Sequence, residues 1–406
     1  MLACCLQLVS YQAKAQELLP GHQQNAASNN PGLMAKYRNF EAAMQKVAQV
    51  NSLPDPSLSV GYFISPVETR VGPQQAKISL SQMFPWFGTL KTHEEATTLA
   101  AEARYQEYLD ARNMLFYQVA EVYYLLYELN RLVALEKENI QILTSYKDIA
   151  KVKFEHGQSA MVDVLRVDIM LQDAVTNLSI LKEKKKALES RFNSLLSRSA
   201  DLTVEVQDTI QVEKVPTNYR RDSLWTSNPK LDELSLKIKA NEAGERAAIK
   251  QGLPKIGLGL DYVFVGKRKD MMVEESGKNA LMPMLTISLP IFRAKYNAAQ
   301  NEARLMQESY TLQKTEMANT LGSQYDMAWF ELQNQAALLA LYEQQTQTSK
   351  QSLHLLFSAY SNSGKDFEEV LRMQQQLIKY RKMKASATSA FKIALAELDY
   401  ITAKSK

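Results

Sequence analysis

Side chains that could bind a metal or carry out catalysis are few and scattered. The chain has four histidines, isolated from one another and from both cysteines: His22, His93, His156 and His354. No spacing typical of a zinc site therefore occurs. Met271-Met272 offers the thioethers that suit Cu(I), although methionine more often fills a core or a loop. Gly257-x-Gly259 lacks the third glycine of a dinucleotide site. The sequence therefore predicts neither an enzyme nor a bound cofactor or metal.

Helix-breaking residues are scarce and unevenly placed. The 406 residues include 14 glycines and 12 prolines, about half of their average share. Between residues 89 and 215 the only one is Gly157, and from 291 to 406 only Gly322 and Gly364 occur. Since a compact domain interrupts its helices every 10 to 20 residues or so, these stretches predict unusually long helices.

Charge, hydropathy and the N-terminus narrow the class of protein. The 48 basic and 44 acidic side chains are spread along the chain, which argues against a dedicated nucleic-acid surface. After residue 12 there is no run of about 20 apolar residues, so a polytopic helical membrane protein is excluded. Residues 1–15 have an apolar core followed by Ala13-Lys14-Ala15, which is typical of a secretory signal. We expect an exported protein.

Two windows, residues 54–88 and 252–290, contain most of the other glycines and prolines and show strand periodicity. The alternating apolar positions are Leu58, Val60, Tyr62, Ile64, Ile78, Leu80 and Phe84 in the first window and Ile256, Leu258, Leu260, Tyr262, Phe264, Leu285, Ile287 and Leu289 in the second. Such alternation over about ten residues is typical of a barrel strand with one face in lipid. On this pattern alone, however, a soluble hairpin half-buried against a helix is the favoured interpretation.

The two halves of the chain resemble each other. Asn30-Pro31 in the first half matches Asn228-Pro229 in the second, and Pro85-Trp86-Phe87 matches Pro290-Ile291-Phe292. Gly157, followed by Asp163-Val164-Leu165-Arg166, matches Gly364, followed by Glu369-Val370-Leu371-Arg372. Their common order predicts an internal duplication of about 200 residues. We expect a signal peptide at 1–15, a first repeat at 16–215 and a second repeat at 216–406. Each repeat would contain a short helix, a β-hairpin (about 56–86 and about 254–290) and a long helical hairpin.

The long helical regions are expected to fold back at Gly157 and Gly364, because a glycine commonly ends a helix where the chain passes through positive φ. The segment from Thr89 to His156 alone would form a helix about 100 Å long. Four strands cannot close a barrel, and lipid does not tolerate open sheet edges. If the strands enter a membrane, three chains would supply 12 strands. The expected fold is mainly α with a small β part, a coiled-coil barrel of duplicated hairpins joined to a trimeric 12-strand transmembrane β-barrel.

These elements resemble the TolC-like outer-membrane efflux proteins from about Asn30 to the C-terminus. The most specific ones are the Gly-x5-Asp-Val-Leu tip at Gly157, the Pro-hydrophobic-Phe elements and the Asn-Pro openings. The resemblance implies a trimeric channel that exports substrates from a tripartite efflux pump across the outer membrane of a Gram-negative bacterium and extends into the periplasm. It also implies a periplasmic adaptor, an inner-membrane pump of the resistance-nodulation-division type and outer-membrane lipid as partners.

The resemblance also indicates site residues. In this family acidic residues narrow the periplasmic mouth, and the matching positions are Asp163 and Glu369, with Glu368 adjacent. Three chains would form carboxylate rings that attract cations, although the same residues would also complement a helix dipole. Arg166 and Arg372 are candidate latch partners or ordinary surface charges. The implied adaptor contact consists of the tips, Gly157, Gly364, Val164, Leu165, Val370 and Leu371.

Two other classes of protein are compatible with long helical hairpins. A periplasmic adaptor also has a coiled-coil hairpin, but it would carry one hairpin and a large β-rich remainder. A secreted coiled-coil scaffold would leave the two strand windows unexplained. The exported cargo is not indicated by any residue, since a wide channel need not recognise what passes through it.

Overall fold

The structure is a computed structural model that describes residues 18–404 apart from 213, 214, 217, 218, 220, 222–227 and 364–366. Its helices are α1 (Leu18–Asn29), α2 (Pro31–Val50), α3 (Thr89–Glu155), α4 (Met161–Leu195), α5 (Pro229–Gln251), α6 (Ala294–Ser363) and α7 (Phe367–Ile401). Its strands are β1 (Ser57–Thr69), β2 (Gly72–Phe84), β3 (Lys255–Val265) and β4 (Ala280–Ser288). The expected signal peptide at 1–15 and the second tip glycine, Gly364, lie outside the described residues.

The longest helices coincide with the stretches that lack helix breakers. α3 has 67 residues and α6 has 70, so the prediction of a mainly helical chain is confirmed. Asn30 begins α2 as a cap, because its side-chain oxygen accepts a hydrogen bond from the N–H of Leu33 at 3.1 Å. Within the described residues, every helix lacks the continuous apolar length that a membrane crossing would require.

The returning helix α4 is shorter than the absence of glycine and proline predicted. It ends at Leu195, and the chain to residue 212 is not helical, so the expectation of helix up to Val215 is wrong. Ser197 follows the helix at φ 54°, in the place that a glycine would often occupy. The buried Asn193 amide donates to the carbonyls of Ala200 at 3.0 Å and Leu202 at 2.7 Å. The Asn193 side chain therefore holds the backbone where it turns back after α4.

The four strands form one antiparallel sheet in the order β1-β2-β3-β4, which confirms the strands predicted in both windows. β2 pairs with β3, so the sheet joins strands from the two halves of the chain. Gly257 lies opposite Met83 in this register. A Cβ at Gly257 would approach the Met83 sulfur to 2.5 Å and the Thr286 Cβ to 3.2 Å. Crowding between strands, and not phosphate binding, therefore explains this glycine.

The chain divides into two compact units, each built from segments of both halves. The hairpin unit comprises the described residues of 1–36, 108–229 and 318–406, and the sheet unit comprises 37–107 and 230–317. One core of the hairpin unit surrounds Tyr123 and Phe192, and a second core surrounds Tyr360 and Phe367 near the helix ends. The duplication remains a prediction from sequence.

Candidate functional site

The first tip is a short turn between α3 and α4. Gly157 has φ 68°, and its N–H donates to the carbonyl of Phe154 at 2.9 Å. A Cβ at Gly157 would meet nothing within 4 Å, so only the backbone conformation disfavours other residues there. Asp163 lies in the first turn of α4, where a carboxylate also complements the helix dipole.

Charged side chains join the first tip to the start of α7. The Arg166 Nη1 atom lies 2.8 Å from a Glu368 carboxylate oxygen and 3.7 Å from one of Asp163. Arg372 instead pairs with Glu369 within α7. The structure thus brings Asp163, Arg166 and Glu368 together and leaves Glu369 with Arg372 as a separate pair. Each of these side chains is at least partly exposed, so each pair contributes at most about 1 kcal/mol.

Three of the four apolar tip residues indicated by the sequence are buried within the chain. Val164, Val370 and Leu371 belong to the core near the helix ends. Leu165, at the position matching Leu371, is 52% exposed, whereas Leu371 is 4% exposed. The buried three contribute to packing between the hairpins, and Leu165 is free to contact another molecule.

Sequence reasoning missed the aromatic contacts beneath the tips. Tyr360 and Phe367 stack with ring centres 4.6 Å apart. The Lys153 ammonium lies 4.0 Å from the Tyr360 ring centre and donates to the Tyr360 carbonyl at 2.9 Å, joining α3 to α6. The available signal was the aromatic residue shortly before each tip glycine, Phe154 and Tyr360.

An exposed apolar row follows the first turn of α4. Met161, Val162, Leu165 and Ile169 are all exposed, at spacings of one, three and four residues. Residues three and four apart lie on one side of a helix, so Met161, Leu165 and Ile169 form a continuous strip. This strip offers a small apolar contact surface beside Arg166.

A group of carboxylates lies farther along the hairpin unit. Burial raises the pKa of Glu397, and the negative charges of Glu121 and Glu331 raise it further. Burial also raises the pKa of Asp399, although the hydrogen bond from the Tyr219 hydroxyl opposes this shift. Among the described residues, no three His, Cys, Asp or Glu side chains converge as a metal site requires.

One face of the sheet is apolar and exposed. Exposed side chains on this face are Leu58, Val60, Tyr62, Ile78, Leu80, Leu258, Leu260, Tyr262, Phe264, Leu281, Leu285 and Ile287. On the opposite face Asp261 is fully buried and pairs with Lys77. No further strand pairs with β1 or β4 among the described residues. A sheet with an exposed apolar face and two free edges is incomplete by itself.

Comparisons with known proteins agree with this geometry. Residues 23–196 match the family model described as outer membrane efflux protein. Nodulation protein T of Rhizobium leguminosarum bv. trifolii is 21% identical over 368 residues, covering 84% of this chain and 75% of the relative. The outer-membrane channel OprN superposes with a TM-score of 0.78 at 16% identity, over 95% of this chain and 89% of OprN. The CmeC outer membrane channel of Campylobacter jejuni gives 0.77 at 14% identity, over 95% and 85%.

The chain therefore has the fold of these outer-membrane channel structures. Residues 23–196 of this chain match the outer membrane efflux protein family, and the TolC-like resemblance is confirmed. Members of this family are channels and not enzymes, and they form trimers that work with an adaptor and an inner-membrane pump. The alternative function as a periplasmic adaptor is not supported.

Proposed function

We propose that three copies of this chain close their sheets into one 12-strand transmembrane barrel and export substrates across a Gram-negative outer membrane. The observation that carries this proposal is the exposed apolar face of a four-stranded sheet whose edge strands, β1 and β4, have no further partner among the described residues. Lipid would cover the apolar face, and neighbouring chains would satisfy the free edges. The ion pair between the partly exposed Lys77 and the buried Asp261 lies on the opposite face, which would line the lumen.

The helical hairpins would extend into the periplasm and receive the adaptor of a resistance-nodulation-division pump. We assign the adaptor contact to the strip of Met161, Leu165 and Ile169, which is exposed. The earlier candidates Val164, Val370 and Leu371 are buried within the chain, so they would support this surface from below.

The entrance carboxylates would be Asp163, Glu368 and Glu369, present three times each around the channel mouth. Arg166 would act as a latch, because its guanidinium bridges Asp163 on its own helix and Glu368 on α7. Losing Arg166 would leave both carboxylates unneutralised. Three chains would then present a more negative entrance that favours cations.

Two measurements test this proposal. Cross-linking and native mass spectrometry of the detergent-purified chain should give a trimer, and planar bilayers should show channels. Asp163→Ala combined with Glu369→Ala should raise conductance or reduce cation selectivity, whereas Arg166→Gln should increase cation selectivity. Glu183→Gln, an exposed change elsewhere on α4, is the matched control. A monomer would contradict the barrel, and currents unaltered by both tip changes would contradict the entrance assignment.

A further inference from the structure

A cleft in the hairpin unit lies between α3, α6 and α7. Its volume is about 550 Å³, within the range of about 300 to 1,000 Å³ typical of small-molecule sites. Tyr146 and Phe357 stack at its wall with ring centres 5.5 Å apart and planes 18° apart. Leu377 and Ile378 form part of the opposite wall from α7. These parts of the wall are apolar and aromatic and suit a flat ring system, and polar side chains line the remainder.

A buried amide faces this apolar space. Gln374 is 2% exposed, and its nitrogen donates weakly to Asn139 Oδ1 at 3.4 Å. Its carbonyl oxygen, Oε1, has no hydrogen-bond partner among the described residues, and neither has the Thr346 hydroxyl oxygen in the same cleft. An unpaired buried carbonyl destabilises the fold, because burial removes it from water without a replacement hydrogen bond. A molecule that brings an N–H or O–H donor into the cleft would remove this cost.

The rim of the cleft has an excess of positive charge. Arg381 donates two hydrogen bonds of 2.7 Å to the two carboxylate oxygens of Glu138. These bonds, and the further positive charges of Arg131 and Lys350, hold the pKa of Glu138 below its ordinary value. One carboxylate therefore faces three cations. With Glu138 already held by Arg381, Lys350 is available to bind an anion.

We propose that this cleft binds an amphipathic aromatic anion that also carries a hydrogen-bond donor. The rings would lie against Tyr146 and Phe357, the donor would bind Gln374 Oε1, and the anionic group would contact Lys350. Because the cleft is formed by α3 of the first hairpin and α6 and α7 of the second, a bound molecule would link the two hairpins. This site is separate from the entrance carboxylates and does not depend on the export proposal.

Two fluorescent probes that share one scaffold separate these contributions. 8-Anilino-1-naphthalenesulfonate has the rings, an N–H donor and an anionic group, and N-phenyl-1-naphthylamine lacks only the anionic group. We expect saturable binding of the sulfonate, one molecule per chain, to the full-length protein in amphipol. Lys350→Gln should weaken binding of the sulfonate about fivefold and leave the amine unchanged. Gln374→Leu should weaken both about fivefold.

Two further variants keep the test independent of folding defects. Leu353→Trp would fill the cleft from a partly buried position on α6 and should abolish saturable binding. Lys379→Gln, an exposed change on α7 that is not part of the cleft lining, should alter nothing. The proposal is overturned if the wild-type protein shows no saturable binding. That result is expected if a neighbouring chain of the oligomer fills the cleft. Saturable binding that survives both Lys350→Gln and Leu353→Trp would also overturn it.

Discussion

An arginine placed on each face of β1 tests the proposal that one face of the sheet meets lipid and the other lines a lumen. Val60 is 72% exposed, and its row across the sheet continues through Ile78, Tyr262 and Leu281. Ser59, the adjacent residue, points to the opposite face, where Asp261 lies. In the proposed barrel, Val60→Arg would place a charge in lipid, and Ser59→Arg would place the same charge in the lumen, in the row across the sheet that contains Asp261.

The cost of Val60→Arg follows from its depth in the strand. Val60 is the fourth residue of β1, about 10 Å along the strand from its start. An arginine facing lipid costs about 2 to 4 kcal/mol at the midplane and less near the interface, so we expect about 2 kcal/mol per chain. A trimer contains three copies, which gives about 6 kcal/mol. Ser59→Arg should change stability by about 0.5 kcal/mol or less.

Refolding into lipid vesicles across a urea series measures this difference. The fraction of folded trimer, read from its electrophoretic mobility without heating, should fall sharply for Val60→Arg and remain near wild type for Ser59→Arg. Val60→Leu controls for the loss of the branched side chain and should refold normally. Equal behaviour of the two arginine variants would refute a lipid-facing apolar surface. Greater damage from Ser59→Arg would mean that the faces are reversed.

Three further changes test the hairpin and sheet units. Leu371→Ala should lower the free energy of unfolding by about 2 to 5 kcal/mol because it opens a cavity. The matching change at the exposed position, Leu165→Ala, should lower it by about 0.5 kcal/mol or less. Urea titration in detergent measures both. Burial raises the pKa of Glu397 in the folded chain. The free energy of unfolding is therefore highest at low pH, where Glu397 is protonated, and falls as the pH rises through the folded-state pKa. Glu397→Gln should therefore raise the melting temperature at pH 7 and leave it unchanged at pH 4, and a constant difference would contradict the shift. Gly157→Ala should destabilise the folded chain by about 1 kcal/mol because φ is 68° there. Gly244→Ala, inside α5 with open space around it, should stabilise the chain by about 0.5 to 1 kcal/mol. Equal effects of the two changes would contradict the argument from backbone conformation.

Properties that depend on neighbouring residues in the chain were predictable from the sequence. The alternation of Leu58, Val60 and Tyr62 identified one face of β1, because side-chain direction in a strand has period two, and the structure exposes all three. Likewise, the absence of helix breakers after Thr89 predicted α3. The Asn30 cap also has a local cause, since asparagine is favoured as a helix cap and proline at the first helical position. In each case the physical cause acts within a few residues.

Properties that depend on distant residues were not predictable. The contact between Arg166 and Glu368 joins two helix starts about 200 residues apart, and no local pattern indicates it. The end of α4 at Leu195 depends on the buried side chain of Asn193, which binds backbone several residues later. The unpaired Gln374 oxygen arises from packing between α3, α6 and α7. A single sequence carries no direct signal for such contacts.

The two tips show how similar local sequences come to present different surfaces. Leu165 and Leu371 occupy matching positions, yet one is exposed and the other is buried. Arg166 reaches α7, whereas Arg372 remains paired within its own helix. A ring of three chains would therefore alternate between first tips, which present the apolar strip of Met161, Leu165 and Ile169, and second tips, where the matching Leu371 is buried. Because an adaptor would meet chemically different tips, variants of the first tip should impair docking more than matching variants of the second.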